Sequence, residues 1–327
     1  MLSNRLSAKT LYLSLGFIVG SFILLRASLP TPGSNTDQTN VHTKVQALAT
    51  HQREQIVPFY AALCDELGRP SKLFLQFCNL LGLKHDGTMR GINRAAQIEW
   101  IRTGERWEQK PSSRTGDEQK QGAELLKKCG FIDAIMPRKQ EYDYIIIMGG
   151  TVGRMCSRVE WLIKLQQSGL VTSKNPVILL TGSRPLDPKI EDLDFAKTEC
   201  DAMEKIAKEA SLTNYRLVNT PMFTNAEGKV RRPTTDDTIR TWLATNPHPG
   251  NVLVISNLPY AQQQGIAFLS FVSPRFGVDV SGPEASPSLN FDTHLDNVAR
   301  TIYALCGLLE KEGKFAPQNA STPRSTR

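Results

Sequence analysis

The segment Tyr142-Asp-Tyr-Ile-Ile-Ile-Met148 is a short continuous apolar run that stops at Gly149-Gly150 and passes straight into helical periodicity. A strand that is apolar at every position is buried on both faces, and strands of that kind belong to parallel sheets covered by helices on each side. The pattern repeats along the chain. A helix bearing Val159, Leu162, Ile163 and Leu165 follows the first run, and Pro176-Val-Ile-Leu-Leu-Thr181 is a second run ending in Gly182-Ser183. Next come a helix over 195–212, a weaker strand over 215–218 and a helix over 235–243. A strand over 251–256, a helix over 258–272, a short strand over 277–280 and a closing helix over 291–311 complete the series. Alternating elements with short connections imply right-handed crossovers. The expected architecture is an α/β, Rossmann-like three-layer sandwich with a mainly parallel sheet.

Upstream, apolar residues recur three and four apart, as in Ile56, Phe59, Tyr60 and Leu63 and again in Leu73, Phe74, Phe77, Leu80 and Leu81. This predicts a helical N-terminal region over 41–140 before an α/β domain over 141–314, with a polar tail over 315–327. Before it, residues 1–10 form a tail and residues 29–40, with Pro30, Pro32 and Gly33, read as a linker. The apolar run from Leu11 to Leu25, flanked by Arg5, Lys9 and Arg26, predicts a signal anchor over 11–28. The basic residues on its N-terminal side would keep that end in the cytoplasm. The expectation is a single-pass membrane protein with an extracytoplasmic globular domain.

A net charge of +7 over 327 residues is mild. No helix or strand shows a basic stripe interleaved with aromatics, so nucleic acid is not an expected partner. The six cysteines form no C-x-x-C pair, and with five scattered histidines they predict buried thiols and no metal site. No motif names a cofactor. Gly149-Gly150-Thr151-Val152-Gly153 is neither G-x-G-x-x-G nor a P-loop, and no G-x-S-x-G elbow occurs. Asp192 and Asp194 follow a polar segment and read as acidic residues opening a helix.

In a parallel sheet the ligand crevice lies outside the carboxyl ends of the strands. Here those ends are Gly149-Gly150-Thr151, Thr181-Gly182-Ser183-Arg184 and Ser256-Asn257, small or hydrogen-bonding groups suited to close approach of an anion.

The order of these motifs resembles the YdcF/SanA/ElyC-like family over 142–280. That family's pattern runs from a glycine-ended strand to an arginine in the first helix, then Ser-Gly-Gly, Ser-Glu-Ala, Thr-x-Glu-Asn and a closing Thr-Ser with His-x-x-Arg. In this chain Gly149-Gly150, Arg158, Thr181-Gly182-Ser183, Thr198-Glu199-Cys200-Asp201-Ala202 and Thr235-Asp236-Asp237 stand at those places. Tyr260 and Gln263 occupy the histidine and arginine positions, and neither supplies a base or a positive charge near neutral pH. The resemblance implies a pocket in which Arg158 and Glu199 pair or hold ligand, with Arg154 and Arg184 available to replace the missing charge. Asp237 is either a second carboxylate or a helix cap. The function so implied is a membrane-anchored, envelope-associated protein that binds or processes a small anionic ligand, phosphate-bearing or nucleotide-like. The alternative is a non-catalytic envelope or partner-binding protein with a degenerate site.

Overall fold

The computed structural model describes residues 59–102, 112–191 and 196–315. Among the described residues three helices come first: α1 (Lys72–Leu80), α2 (Met89–Glu99) and α3 (Gly116–Lys128). Each has a local reason to start where it does. Ser71, Thr88 and Thr115 accept hydrogen bonds from backbone amides of the first turn, and Thr115 with Glu118 completes a capping box.

The α/β part follows as β1 (Glu141–Tyr142), β2 (Tyr144–Met148), α4 (Val152–Gln167), β3 (Thr172–Ser173) and β4 (Val177–Gly182). Then come α5 (Glu199–Glu209), β5 (Tyr215–Thr220), the β6–β7 hairpin (Phe223–Thr224 and Val230–Arg231) and α6 (Thr235–Leu243). The series ends with β8 (Asn251–Ile255), α7 (Ala261–Phe271), β9 (Gly277–Ser281) and α8 (Phe291–Lys311). Five strands form one sheet in the order β5-β4-β2-β8-β9, and every pairing in it is parallel.

The core follows from the pleat. Alternate residues of a strand point to opposite faces. Ile146 and Met148 join Trp242 of α6 and Phe268 of α7 in one cluster. Ile145 and Ile147, of opposite pleat, are equally buried on the face against which α4 packs. Burying each such side chain stabilises by roughly 1.5–3 kcal/mol, which is why an unbroken apolar run makes a central strand. The run was expected to form one strand over 142–148. Asp143 divides it instead, because its carboxylate accepts from Asn251 N and lies 3.1 Å from Lys174 Nζ.

The helical region and the closing helix share a core. Phe74, Phe77, Ile92 and Leu126 pack with Leu295, Val298, Ile302 and Leu309 of α8, and α8 in turn lies along α7.

The membrane expectation is corrected at this point. No helix among the described residues is long and apolar enough to cross a membrane. At 21 residues α8 has the length, but it carries Asp292, Asp296, Arg300, Glu310 and Lys311, and charged residues are costly at the centre of a bilayer. The 11–28 segment lies outside the described residues. Membrane anchoring, the single-pass topology and the extracytoplasmic placement are therefore not carried into the functional reading.

Candidate functional site

The strand order reverses between β2 and β8, and the crevice of such a sheet opens at the carboxyl ends of the two strands flanking that reversal. Arg158, on the second turn of α4, fills this point and is 2% exposed. Its Nη1 donates to the carbonyls of Met148 (2.6 Å) and Gly149 (2.5 Å) at the end of β2. Its Nε donates to Asn257 Oδ1 (2.6 Å) just past β8. Asn257 is held from its other side by Nδ2, which donates to Ser157 Oγ. Arg158 thus ties together the two strand ends that would otherwise form the crevice. Burial, with Arg154 adding to it, pulls its guanidinium down to about 9, so it stays charged at neutral pH.

Glu199 opens α5 with its carboxylate turned into the crevice. Oε1 accepts from Gly182 N at 3.1 Å and Oε2 from Arg184 Nε at 3.1 Å. The close approach requires glycine at 149, since a Cβ there would stand 2.1 Å from Glu199 Oε1. A Cβ on Gly182 would stand 2.4 Å from Pro233 Cγ, so that end of β4 is covered as well. Neither glycine has a positive φ among the backbone angles of the described residues. Space, not turn geometry, selects them.

Arg184 and Glu191 form the centre of the site. Arg184 donates to Glu191 through both terminal nitrogens, Nη1 to Oε2 (2.6 Å) and Nη2 to Oε1 (2.9 Å), the two-pronged geometry that carboxylates favour. Its other donors reach Glu199 through Nε, Pro185 O through Nη1 (3.1 Å) and Gly150 O through Nη2 (3.0 Å). A guanidinium has five N–H groups, and all five are engaged. Glu191 is equally saturated. Oε1 also accepts from Val152 N (3.2 Å), and Oε2 from Asp187 N (3.0 Å). Val152 is the first residue of α4, so the carboxylate lies at a helix N-terminus, where an anion is favoured. Thr151, the N-cap, makes no side-chain cap bond; Glu191 supplies the anion instead.

The segment that carries Glu191 is closed at its neck. Glu199 N donates to Arg184 O and Leu186 N to Lys197 O. The pair Asp192 and Asp194 lies outside the described residues.

The charges respond accordingly. Burial alone would raise Glu191, but Arg184 and the amides of Asp187 and Val152 outweigh it and hold the carboxyl below its ordinary range. For Glu199 burial wins over Arg184 and Gly182, and its carboxyl is raised. Arg184 is raised by its bonds to Glu191 against the opposing effect of burial. The signs give a testable pH dependence. A carboxyl raised on folding binds its proton before the unfolded chain does, so stability is gained as pH falls from neutrality toward its folded pKa. Glu191, held low, loses its contribution below the unfolded value of about 4.3. Urea denaturation from pH 7.5 to pH 5 is expected to show a gain for the intact chain relative to Glu199→Gln. Identical slopes in the two proteins would remove Glu199 as the source.

Tyr260, at the position where the resemblance expects histidine, lies under Arg154, whose guanidinium carbon is 4.3 Å from the ring centroid. Gln263 is half-buried in the first turn of α7. Asp237 accepts from Thr234 in a capping box and pairs with Arg231 at 2.6 Å, and that pairing holds it far below its ordinary value. Ser183 Oγ accepts from Asn219 Nδ2, Thr181 is fully buried beside Cys200, and Ser256 is fully buried under Gly282. The structure thus brings Gly149, Gly150, Arg158, Gly182, Arg184, Glu199 and Asn257 together, while Asp237 bonds Arg231 and Thr234 outside that group. Glu191 had no signal in the sequence. It reaches Val152 across 39 positions of chain, from a polar stretch with no periodicity.

The expected anionic ligand is corrected by the same geometry: the anion at the head of α4 is the chain's own carboxylate. Among the described residues no group of three or more His, Cys, Asp or Glu side chains could hold a metal ion. No family model matches the sequence, and no curated protein matches it.

Proposed function

We propose that this chain is a non-catalytic, partner-binding protein that keeps a Rossmann-like three-layer frame related to the YdcF/SanA/ElyC-like family while its crevice is sealed from within. One observation carries this reading. The guanidinium that could meet a ligand at the strand ends has all five donors spent on protein acceptors, and the helix N-terminus beside it is occupied by Glu191. Chemistry needs groups that are free to change partners, and these are held by one another. Supporting the Rossmann-like frame is the strand order, which reverses between its first strand β2 and β8. Supporting the kinship are Arg158 and Glu199 at the strand ends, with Tyr260 and Gln263 in place of a base and a cation. Function then resides in what the surface of the folded chain binds.

Thermal melts of the full chain with inorganic phosphate, sulfate and ATP test the reading. The intact protein is expected to show no stabilisation at millimolar concentrations. Glu191→Ala, which returns two Arg184 donors and the Val152 amide to solvent, is expected to gain a stabilisation that rises with phosphate concentration. A clear shift in the intact chain that is lost in Glu199→Gln would overturn it.

A further inference from the structure

The five-stranded sheet has two edges, and the chain treats them differently. We propose, on the partner-binding reading above, that the open edge along β5 is where a partner protein docks, adding a short acidic segment to the sheet as a further strand.

The edge along β9 is closed. Ile135 and Gly282 exchange backbone hydrogen bonds, and Ser281 Oγ donates to Ile135 O. Arg138 bonds both the Asp279 carboxylate and the carbonyl of Val278. The edge along β5 has no such cover among the described residues. β5 ends the strand order, and the β6–β7 hairpin that follows it forms a separate sheet. Val177 N donates to Asn214 O and Ser183 N to Thr220 O. Between those bonds the parallel register uses every second residue. Arg216, Val218 and Thr220 therefore turn their peptide groups toward β4, while Tyr215, Leu217 and Asn219 turn theirs outward. Among the described residues those three outward peptide groups meet no hydrogen-bond partner. Nor do the side chains bury this edge: Arg216 and Asn219 are exposed, and Tyr215 and Leu217 are half-buried.

A row of unpaired N–H and C=O groups is a ready template for another strand, and charge decides which strand it takes. From Tyr215 to Arg232 four cations, Arg216, Lys229, Arg231 and Arg232, stand against Glu227 alone, so an incoming segment meets a basic surface. Arg231 is held by Asp237 and stacks on the Phe223 ring. Arg216, Lys229 and Arg232 are exposed and form no ion pair among the described residues. Because the hairpin follows directly on β5, cations stand at both ends of the outward row, Arg216 near its start and the hairpin beyond its end.

A second copy of the chain does not fit this edge. An antiparallel pair of β5 strands would bring Arg216 of each copy toward the hairpin of the other, cation against cation, and like charges facing across a strand pair are destabilising. Arg216 thus guards against self-pairing, and the same charge admits an acidic strand. Backbone hydrogen bonds supply the affinity in such a complex, and carboxylates at the two ends of the added segment set its register.

The probe is a fluorescent peptide of about nine residues, alternating valine and threonine with two glutamates at each end, added to the full chain and followed by fluorescence anisotropy. Saturable binding is expected, weakening as salt rises. The same peptide with its valines and threonines N-methylated keeps the charge but loses the strand-pairing donors, and it is expected to bind about tenfold more weakly. Leu217→Pro deletes an outward N–H while leaving the bonds to β4 in place, and is expected to weaken the peptide about tenfold. Arg216→Glu, at an exposed side chain, is expected to weaken it about fivefold. Equal binding of the two peptides would reduce the effect to charge attraction and overturn strand addition. No saturable binding at millimolar peptide, or binding unchanged in Arg216→Glu, would overturn the site. A chain that sediments as a dimer and becomes a monomer on Leu217→Pro would give the edge to a second copy instead. The phosphate melts do not involve β5, so the sealed crevice and the open edge fail separately.

Discussion

Replacing Arg184 with alanine is expected to destabilise the folded chain by about 3–5 kcal/mol, the cost of breaking a buried ion pair from one side. The size follows from what is left behind. Glu191 has a side chain 1% exposed and Glu199 one 12% exposed, and both lose their cation in the same step. Glu191 keeps the amides of Val152 and Asp187, but Glu199 keeps only Gly182 N. The carbonyls of Gly150 and Pro185 also lose a donor. Arg184→Lys is expected to recover only part of the loss. A lysine ammonium has three donors on a point charge and cannot reproduce the planar fork that meets both Glu191 oxygens. Denaturant titration at pH 7 reads all three proteins. A loss below about 1 kcal/mol, the value for a solvent-screened surface pair, would show that the cluster opens in solution. That result would also remove the basis for a sealed crevice.

The frame of this site was legible in the sequence, and the seal was not. Apolar runs give β2, β4 and β8 because a strand buried on both faces has no alternative composition. The helix start at Thr234 is legible because its cap is a local bond, closed within three residues by Asp237, whereas the helix expected over 195–212 starts only at Glu199, behind the Thr198 cap that Asp201 closes. Even Arg158 could be picked out by its place in the helix after β2. Its role could not, since the acceptors it meets are backbone carbonyls and Asn257, 99 positions away. Glu191 shows the limit most clearly. Nothing about a glutamate in a Pro- and Asp-containing stretch marks it as the anion that caps α4. Its partners are set by the way the 184–199 segment folds back on its neck. Likewise, the period of α1 to α3 gives each helix an apolar face without saying that the face meets α8. Local bonds write themselves into neighbouring residues; long-range pairing does not.

Gly149→Ala is the second large effect, and its expected partner dependence makes it the sharper test. The new methyl would stand 2.1 Å from Glu199 Oε1 and 3.0 Å from the carbonyl oxygen of Leu180. The carbonyl cannot withdraw, because it accepts from Gly149 N at 2.7 Å within the body of the sheet. Relief has to come from Glu199, which must leave both Gly182 N and Arg184. Charge-assisted bonds of that kind contribute about 1.5–3 kcal/mol each, and overpacking costs about 1–3 kcal/mol. A loss of about 3 kcal/mol is expected. Gly150→Ala should cost much less, since its methyl meets nothing closer than Arg158 Nη1 at 3.3 Å. The clash also predicts strong coupling. In a Glu199→Ala background the obstructing carboxylate is gone, so Gly149→Ala is expected to cost about 2 kcal/mol less than it does alone, well outside the additivity of independent sites. Additive losses, or equal costs at 149 and 150, would mean that the glycine is required by the turn and that the Glu199 carboxylate does not occupy the mouth of the sheet.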